Sequence, residues 1–256
     1  MFRIQPQHVT ILLVAGFTLS ITSCRDKDKG KEEEPVPSQK EITIDPVYDM
    51  QFLTSEDVVF RTEDGYDVKL REMKIILTDI RNGNNVLADA ALYDSKKGKT
   101  LMKTEGTSAN FGSLNFNIGV HQDINHSDPA AFPNNHPLNI VNASDMHWSW
   151  NPGYIFFKIE MVADTTNDGT ENFNHMISYH VGMDDAFQQK QLTDLNWEKV
   201  GNNLELLRLK LDIKKLLKNG TSKIDIKTES VTHSGPDQLP LSIKLSENFK
   251  EALEGF

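Results

Sequence analysis

The chain has 256 residues, and 37 acidic side chains against 27 basic ones give a net charge of −10 at pH 7. That deficit of basic charge argues against a phosphate-binding face, so nucleic acid is not an expected partner. The length allows one large domain whose core needs no disulfide staples, and no run of roughly 18–20 apolar residues is present to cross a membrane as a helix.

The first 23 residues read as a lipoprotein signal peptide. Arg3 supplies a basic start, Val9 to Ile21 is mostly apolar, and Ile21-Thr22-Ser23-Cys24 resembles a lipobox. Cys24, the only cysteine, is then the expected lipidation site and membrane anchor, which makes the protein an outer-membrane lipoprotein of the cell envelope, facing the periplasm or the surface. Residues 24–40 are charged and proline-bearing, with Val36 the only large apolar residue between Arg25 and Gln39. Such a segment cannot bury enough surface to offset its ordering entropy and is expected to be a solvated, disordered tether.

Residues 41–256 are expected to form one domain. Short strands are predicted at Ile42–Ile44 and Val58–Phe60 and a long one at Val68–Ile80; Arg81-Asn82-Gly83-Asn84-Asn85 is turn chemistry before a strand at Val86–Tyr93. Leu114, Phe116, Ile118 and Val120 alternate with polar residues or glycine, predicting a strand that ends on His121. Gln122 to Asp145 has no usable period and is rich in proline and asparagine, which suits an ordered site loop. An extended Met146–Trp150 would place Trp148 and Trp150 on one face and His147 on the other. A Pro-Gly turn and a strand at Ile155–Met161 follow, and Asp164 to Gly169 reads as a plain hairpin turn, only faintly like a calcium loop. Strands at His175–Val181 and Leu204–Ile213, a short helix at Asp212–Lys218 and a terminal helix capped by Ser246 complete the prediction. Many short strands with little helix predict an all-β, antiparallel β-sandwich with short peripheral helices.

Six of the eight histidines fall between His121 and His180, which makes metal binding the chemistry to examine. Imidazole suits copper or zinc, and soft neighbours favour Cu(I). His121, His147 and His180 each sit off the apolar face of a predicted strand and are the candidate ligands, with Trp148 and Trp150 beside them. The only cysteine is committed to the anchor and no nucleophile elbow is present, so no catalytic residue and no enzymatic activity are expected. A zinc hydrolase using the same three histidines is a weaker alternative. An envelope ligand-binding or adhesion module, with the tryptophans stacked on a sugar or buried in the core, is the stronger one.

Phe116-Asn117-Ile118-Gly119-Val120, His136-Pro137-Leu138-Asn139, the Met146–Glu160 block and Tyr179-His180-Val181-Gly182 together resemble the MbnP-like family of copper-associated envelope proteins. Thr78-Asp79-Ile80-Arg81 resembles the family's turn after a long strand, while His147 stands where an aromatic residue is common in the family. The resemblance implies a β-sandwich that binds or handles copper, with Cu(I) held by histidines and by kynurenine made from a tryptophan by a di-haem peroxidase-like partner. It places the family's positions on His180 and on Trp148 or Trp150.

Overall fold

A computed structural model describes residues 38–106, 112–150, 153–166 and 168–256. The signal peptide, Cys24, most of the tether, and Pro152 of the expected Pro-Gly turn lie outside the described residues.

The strands in chain order are β1 Ser38–Tyr48, β2 Gln51–Phe52, β3 Val59–Arg61, β4 Asp67–Asn82, β5 Asn85–Asp94, β6 Thr100–Gly106, β7 Ser113–Ile118, β8 His147–Trp148, β9 Gly153–Asp164 and β10 His175–Gly182. They continue as β11 Gln188–Thr193, β12 Trp197–Val200, β13 Leu204–Asp212, β14 Lys218–Asn219, β15 Ser222–Lys223, β16 Val231–Thr232 and β17 Leu253–Gly255. The helices are α1 Gln122–Asn125, α2 Ile140–Ala143, α3 Ile213–Leu217 and α4 Leu239–Ala252.

One sheet runs β12-β13-β1-β2, with β6 also on β1 and β17 on β13. The larger sheet runs β11-β7-β4-β9-β10-β16, with β3 and β5 on β4 and β8 on β9. Ile42, Ile44, Leu207, Leu209 and Leu211 from the first sheet and Met73, Ile75, Phe157, Ile159, Ile177 and Tyr179 from the second are buried in one apolar core. The β-sandwich expectation therefore holds, with one correction: β1 pairs with β13, and β10 with β16, in parallel, so the sheets are mixed rather than purely antiparallel. Parallel pairing requires a crossover, and β1–β13 is made between segments far apart in the chain, which no local pattern encodes.

Several local expectations are also corrected. β1 begins at Ser38, so Ser38–Lys40 belong to the sheet and not to the tether; Lys40 is buried, paired with Glu205, its ammonium 5.3 Å from the Trp197 ring centroid. The terminal helix starts at Leu239 with Pro240 in its first turn, not at Ser246, which is buried mid-helix with its hydroxyl donated to the Ala186 carbonyl. α4 is no short peripheral element, since it has 14 residues, touches β10, β11 and β13, and stacks Phe249 on Phe157 at 4.2 Å. Thr78–Arg81 is no turn but a bulge inside β4, with Asp79 at φ +51°.

The plain-turn expectation after β9 fits the bonding. Asp164 accepts from Thr166 and Asn172, and Asp168 accepts from Thr170, so both carboxylates are occupied by their own loop.

Candidate functional site

Strand alternation builds the site. In β10, Ile177, Tyr179 and Val181 are fully buried, which turns Ser178 and His180 to the other face. The register sets Glu160 of β9 opposite Ser178 and Lys158 opposite His180, with Glu72 and Lys74 of β4 in the next places along. Lys158 bonds Glu72 at 2.9 Å and Lys74 bonds Asp145 at 2.6 Å, so this charged row is paired internally beneath the end of the long loop.

Glu160 Oε1 lies 2.5 Å from His180 Nε2 and accepts the Ser178 hydroxyl at 3.0 Å. The other nitrogen of His180, Nδ1, lies 3.0 Å from Nδ1 of His233, with the two rings edge to face at 4.6 Å. A carboxylate can only accept, so neutral His180 carries its proton on Nε2 and offers the Nδ1 lone pair to the Nδ1–H of His233. A carboxylate behind an imidazole in this way fixes its tautomer and raises the basicity of the distal nitrogen.

His233 is positioned by the residues on either side of it. β16 lies parallel to Ser178–Tyr179, and the His233 N–H donates to Gln238 Oε1 at 2.8 Å. Next to it, Ser234 Oγ accepts the Gly182 N–H at 3.0 Å and sits 2.8 Å from Ser242 Oγ, which itself lies 2.7 Å from Thr232 Oγ1. These buried hydroxyls tie the histidine loop to β10 and α4.

Burial would raise the Glu160 carboxyl, but hydrogen bonds from His180 and Ser178 and the charge of Lys158 hold it below the ordinary range. Burial pushes His233 down, opposed by Glu160. At neutral pH His233 is therefore uncharged beside an ionised carboxylate.

Ser178 and Glu160 crowd the same nitrogen of His180, whereas an acyl-transfer triad needs nucleophile and orienting acid on opposite nitrogens. The arrangement suits a ligand that accepts a nitrogen lone pair better than nucleophilic attack.

The three histidines singled out in the sequence do not share partners. β7 stops at Ile118, and Gly119 takes φ +97°, where an added Cβ would lie 2.3 Å from the Phe156 ring. His121 consequently caps α1, accepting from the Asp123 N–H at 3.4 Å, and stands edge-on to Phe187. His147 packs edge-on against Tyr154 at 5.0 Å, its Nε2 buried with no hydrogen-bond partner among the described residues, and burial lowers its pKa. Among the described residues no group of three or more His, Cys, Asp and Glu side chains is placed to hold a metal ion. What the fold brings together is a pair, His180 and His233.

Sequence reasoning missed His233 because it lies far from the histidine cluster, just after a two-residue strand. It also missed His126, whose Nε2 lies 3.1 Å from Asp184 Oδ2 while neighbouring Asn125 bonds both Asp184 and the Tyr154 N–H. These contacts tie the loop to β9.

The tryptophan stretch is a hairpin rather than one strand, since Trp148 pairs with Gly153 and His147 with Tyr154. Trp148 is buried and its ring covers Gly182, two residues beyond His180. Trp150 lies in the turn and is 62% exposed, its ring centroid 5.6 Å from that of Trp148. The two rings meet, but they share no core position, since one is buried and the other exposed.

The family model for MbnP matches residues 37–234. Among solved structures the chain is similar to MbnP from Methylosinus trichosporium, at 17% identity and a TM-score of 0.47, over 70% of this chain and 76% of that one. No curated protein matches. Because the family model spans β1 through His233 and most of the chain, the protein belongs to the MbnP family.

Proposed function

We propose that this protein is a non-catalytic copper-handling lipoprotein of the cell envelope, anchored through Cys24, that holds Cu(I) between Nδ1 of His180 and Nδ1 of His233. The observation that carries the reading is the chain Glu160–His180–His233, in which a carboxylate aims one imidazole lone pair at a second imidazole. Family membership supports copper as the metal.

The donor set fits. Imidazole nitrogens suit copper, while magnesium and calcium want oxygen ligands that this pair does not offer. A metal–imidazole bond is about 2.0 Å, so a metal between the two nitrogens wants them up to about 4 Å apart. The present 3.0 Å is hydrogen-bond spacing, so a bound metal would require the two nitrogens to open by about 1 Å. Glu160 would keep His180 in the ligating tautomer, Lys158 would keep Glu160 ionised, and Trp148 would wall the site over Gly182. The resemblance adds a kynurenine made from Trp148 or Trp150 by a di-haem peroxidase-like partner, which intact mass of protein purified from its native envelope would detect. Exposure of Trp150 favours the alternative of a ligand-stacking module, for which copper titration of the His180 and His233 variants is the separating test.

A further inference from the structure

A second polar site lies on the same sheet, away from the histidines. β4 is bulged at Asp79, a non-glycine residue at φ +51° inside a 16-residue strand, and its pairing slips there with both neighbours, β5 and β7. Left-handed backbone in mid-strand persists only where the surroundings impose it, and such residues gather at binding sites. Here the bulge opens onto a pocket of about 310 Å³ whose polar lining is Asp79, Arg81, Asn115, Asn117, Gln189, Lys190 and Gln191.

The register arranges these side chains as a grid. Arg81, Asn115 and Gln191 lie side by side across β4, β7 and β11, and Thr78, Asn117 and Gln189 form the parallel row two residues along. Rows of this kind are about 4.8 Å apart between strands and about 6.7 Å apart along them. The second row is already oriented, with Gln189 Nε2 donating to Asn117 Oδ1 at 3.2 Å and Thr78 Oγ1 donating to the Gly119 carbonyl at 2.7 Å. In the first row Asn115 and Gln191 bond no other side chain among the described residues, so each presents a free amide donor and a free amide acceptor.

Charge selects the ligand class. Arg81 is neutralised by Asp79 at 2.5 Å, and Lys190, the other cation of the lining, commits its ammonium to the Lys250 carbonyl, so no unengaged charge is offered to an anion or a cation. Neutral amides that donate and accept from neighbouring positions match vicinal hydroxyls, which also do both. We propose that this pocket binds a neutral saccharide through the amides of Asn115, Asn117, Gln189 and Gln191, independently of any metal at His180.

The test is side-chain amide NMR of the ¹⁵N-labelled full chain titrated with glucose, galactose, mannose, N-acetylglucosamine and their β-linked disaccharides, beside a capped four-residue extended peptide. The expected result is saturable movement of the Asn115 and Gln191 signals with at least one sugar, weakened tenfold or more in Asn115→Ala and in Gln191→Ala. The other Asn and Gln signals report that each variant is folded. No saturation with any sugar, binding untouched by both substitutions, or saturation by the peptide instead would each overturn the proposal. The last would assign the pocket to strand addition at the β11 edge.

Discussion

Replacing Gly182 by alanine tests the seat of Trp148 and the geometry of the strand that carries His180. An added Cβ would lie 2.4 Å from the backbone carbonyl oxygen of Tyr154 and 2.7 and 2.8 Å from two ring atoms of Trp148. Neither neighbour can yield freely. Tyr154 is fully buried, with its N–H held by Asn125, and Trp148 is only 6% exposed. Overpacking of a filled core costs about 1–3 kcal/mol, and a rigid carbonyl on one side puts this case near the upper end, at about 3 kcal/mol. For a domain of this size that corresponds to a fall in Tm of about 6–12 °C. The assay is urea unfolding of Gly182→Ala against wild type, followed by tryptophan fluorescence. Gly255→Ala serves as control because its added Cβ meets nothing within 4 Å. A displaced Trp148 should shift emission to the red in the native state. Stability within 0.5 kcal/mol of wild type, the range about that of neutral surface changes, would refute the packing described for the tryptophan.

Other expected outcomes follow from the same geometry. Phe116→Asp or Ile118→Asp, each placing a charge in the buried core, should cost several kcal/mol by urea unfolding, and tolerance of both would contradict the sandwich. His136, His147 and His233 are all pushed below the ordinary histidine value of 6.5 by burial, so below that pH the unfolded chain takes up protons that the folded chain refuses. Stability they contribute is thus fully present above pH 6.5 and lost as pH falls; urea midpoints should drop between pH 7.5 and pH 5.5, and equal midpoints would count against burial of these rings. Cys24→Ser should release the protein from membranes or stop its maturation, whereas normal processing and unchanged membrane association would defeat the lipoprotein reading. Glu160→Gln should weaken metal binding by about 10–100-fold, the usual effect of losing a carboxylate behind a ligating histidine, and unchanged affinity would remove Glu160 from the site.

Strands that bury one face announce themselves in the sequence. The alternation through Ile177, Tyr179 and Val181 predicts β10 and puts His180 on its open face, and the run from Leu114 to Ile118 predicts β7. Asn219-Gly220 likewise signals the end of a short helix over Asp212–Lys218, observed as α3, whose first turn Asp212 caps at the Lys214 N–H. α4 is obscure because its buried face carries Ser242, Ser246 and Asn248 among Leu245 and Phe249, which blunts the apolar stripe a helix search looks for. Trp150 is exposed while Trp148 is buried because Trp150 lies in the hairpin turn, where period-2 reasoning lapses. The site was half legible. His180 follows from strand period, but its partner arrives through a parallel pairing of Val231–Thr232 with Ser178–Tyr179, a contact set by tertiary closure and by a buried hydroxyl cluster rather than by local pattern. His121 misled for a similar reason, since the left-handed Gly119 ends the strand before reaching it.

The central claim is the copper pair. It is tested most directly by competitive Cu(I) titration of wild type, His180→Ala, His233→Ala and the double variant, with His121→Ala and His147→Ala as comparisons, at pH 7.5 and pH 5.5. The account predicts one Cu(I) per chain in wild type. It further predicts a loss of tenfold or more in each of the first two variants, little change in the comparison variants, and weaker binding at pH 5.5, where protonation competes for the imidazole lone pairs. Wild-type binding no tighter than that of the double variant, or a loss confined to the His121 and His147 variants, would contradict it.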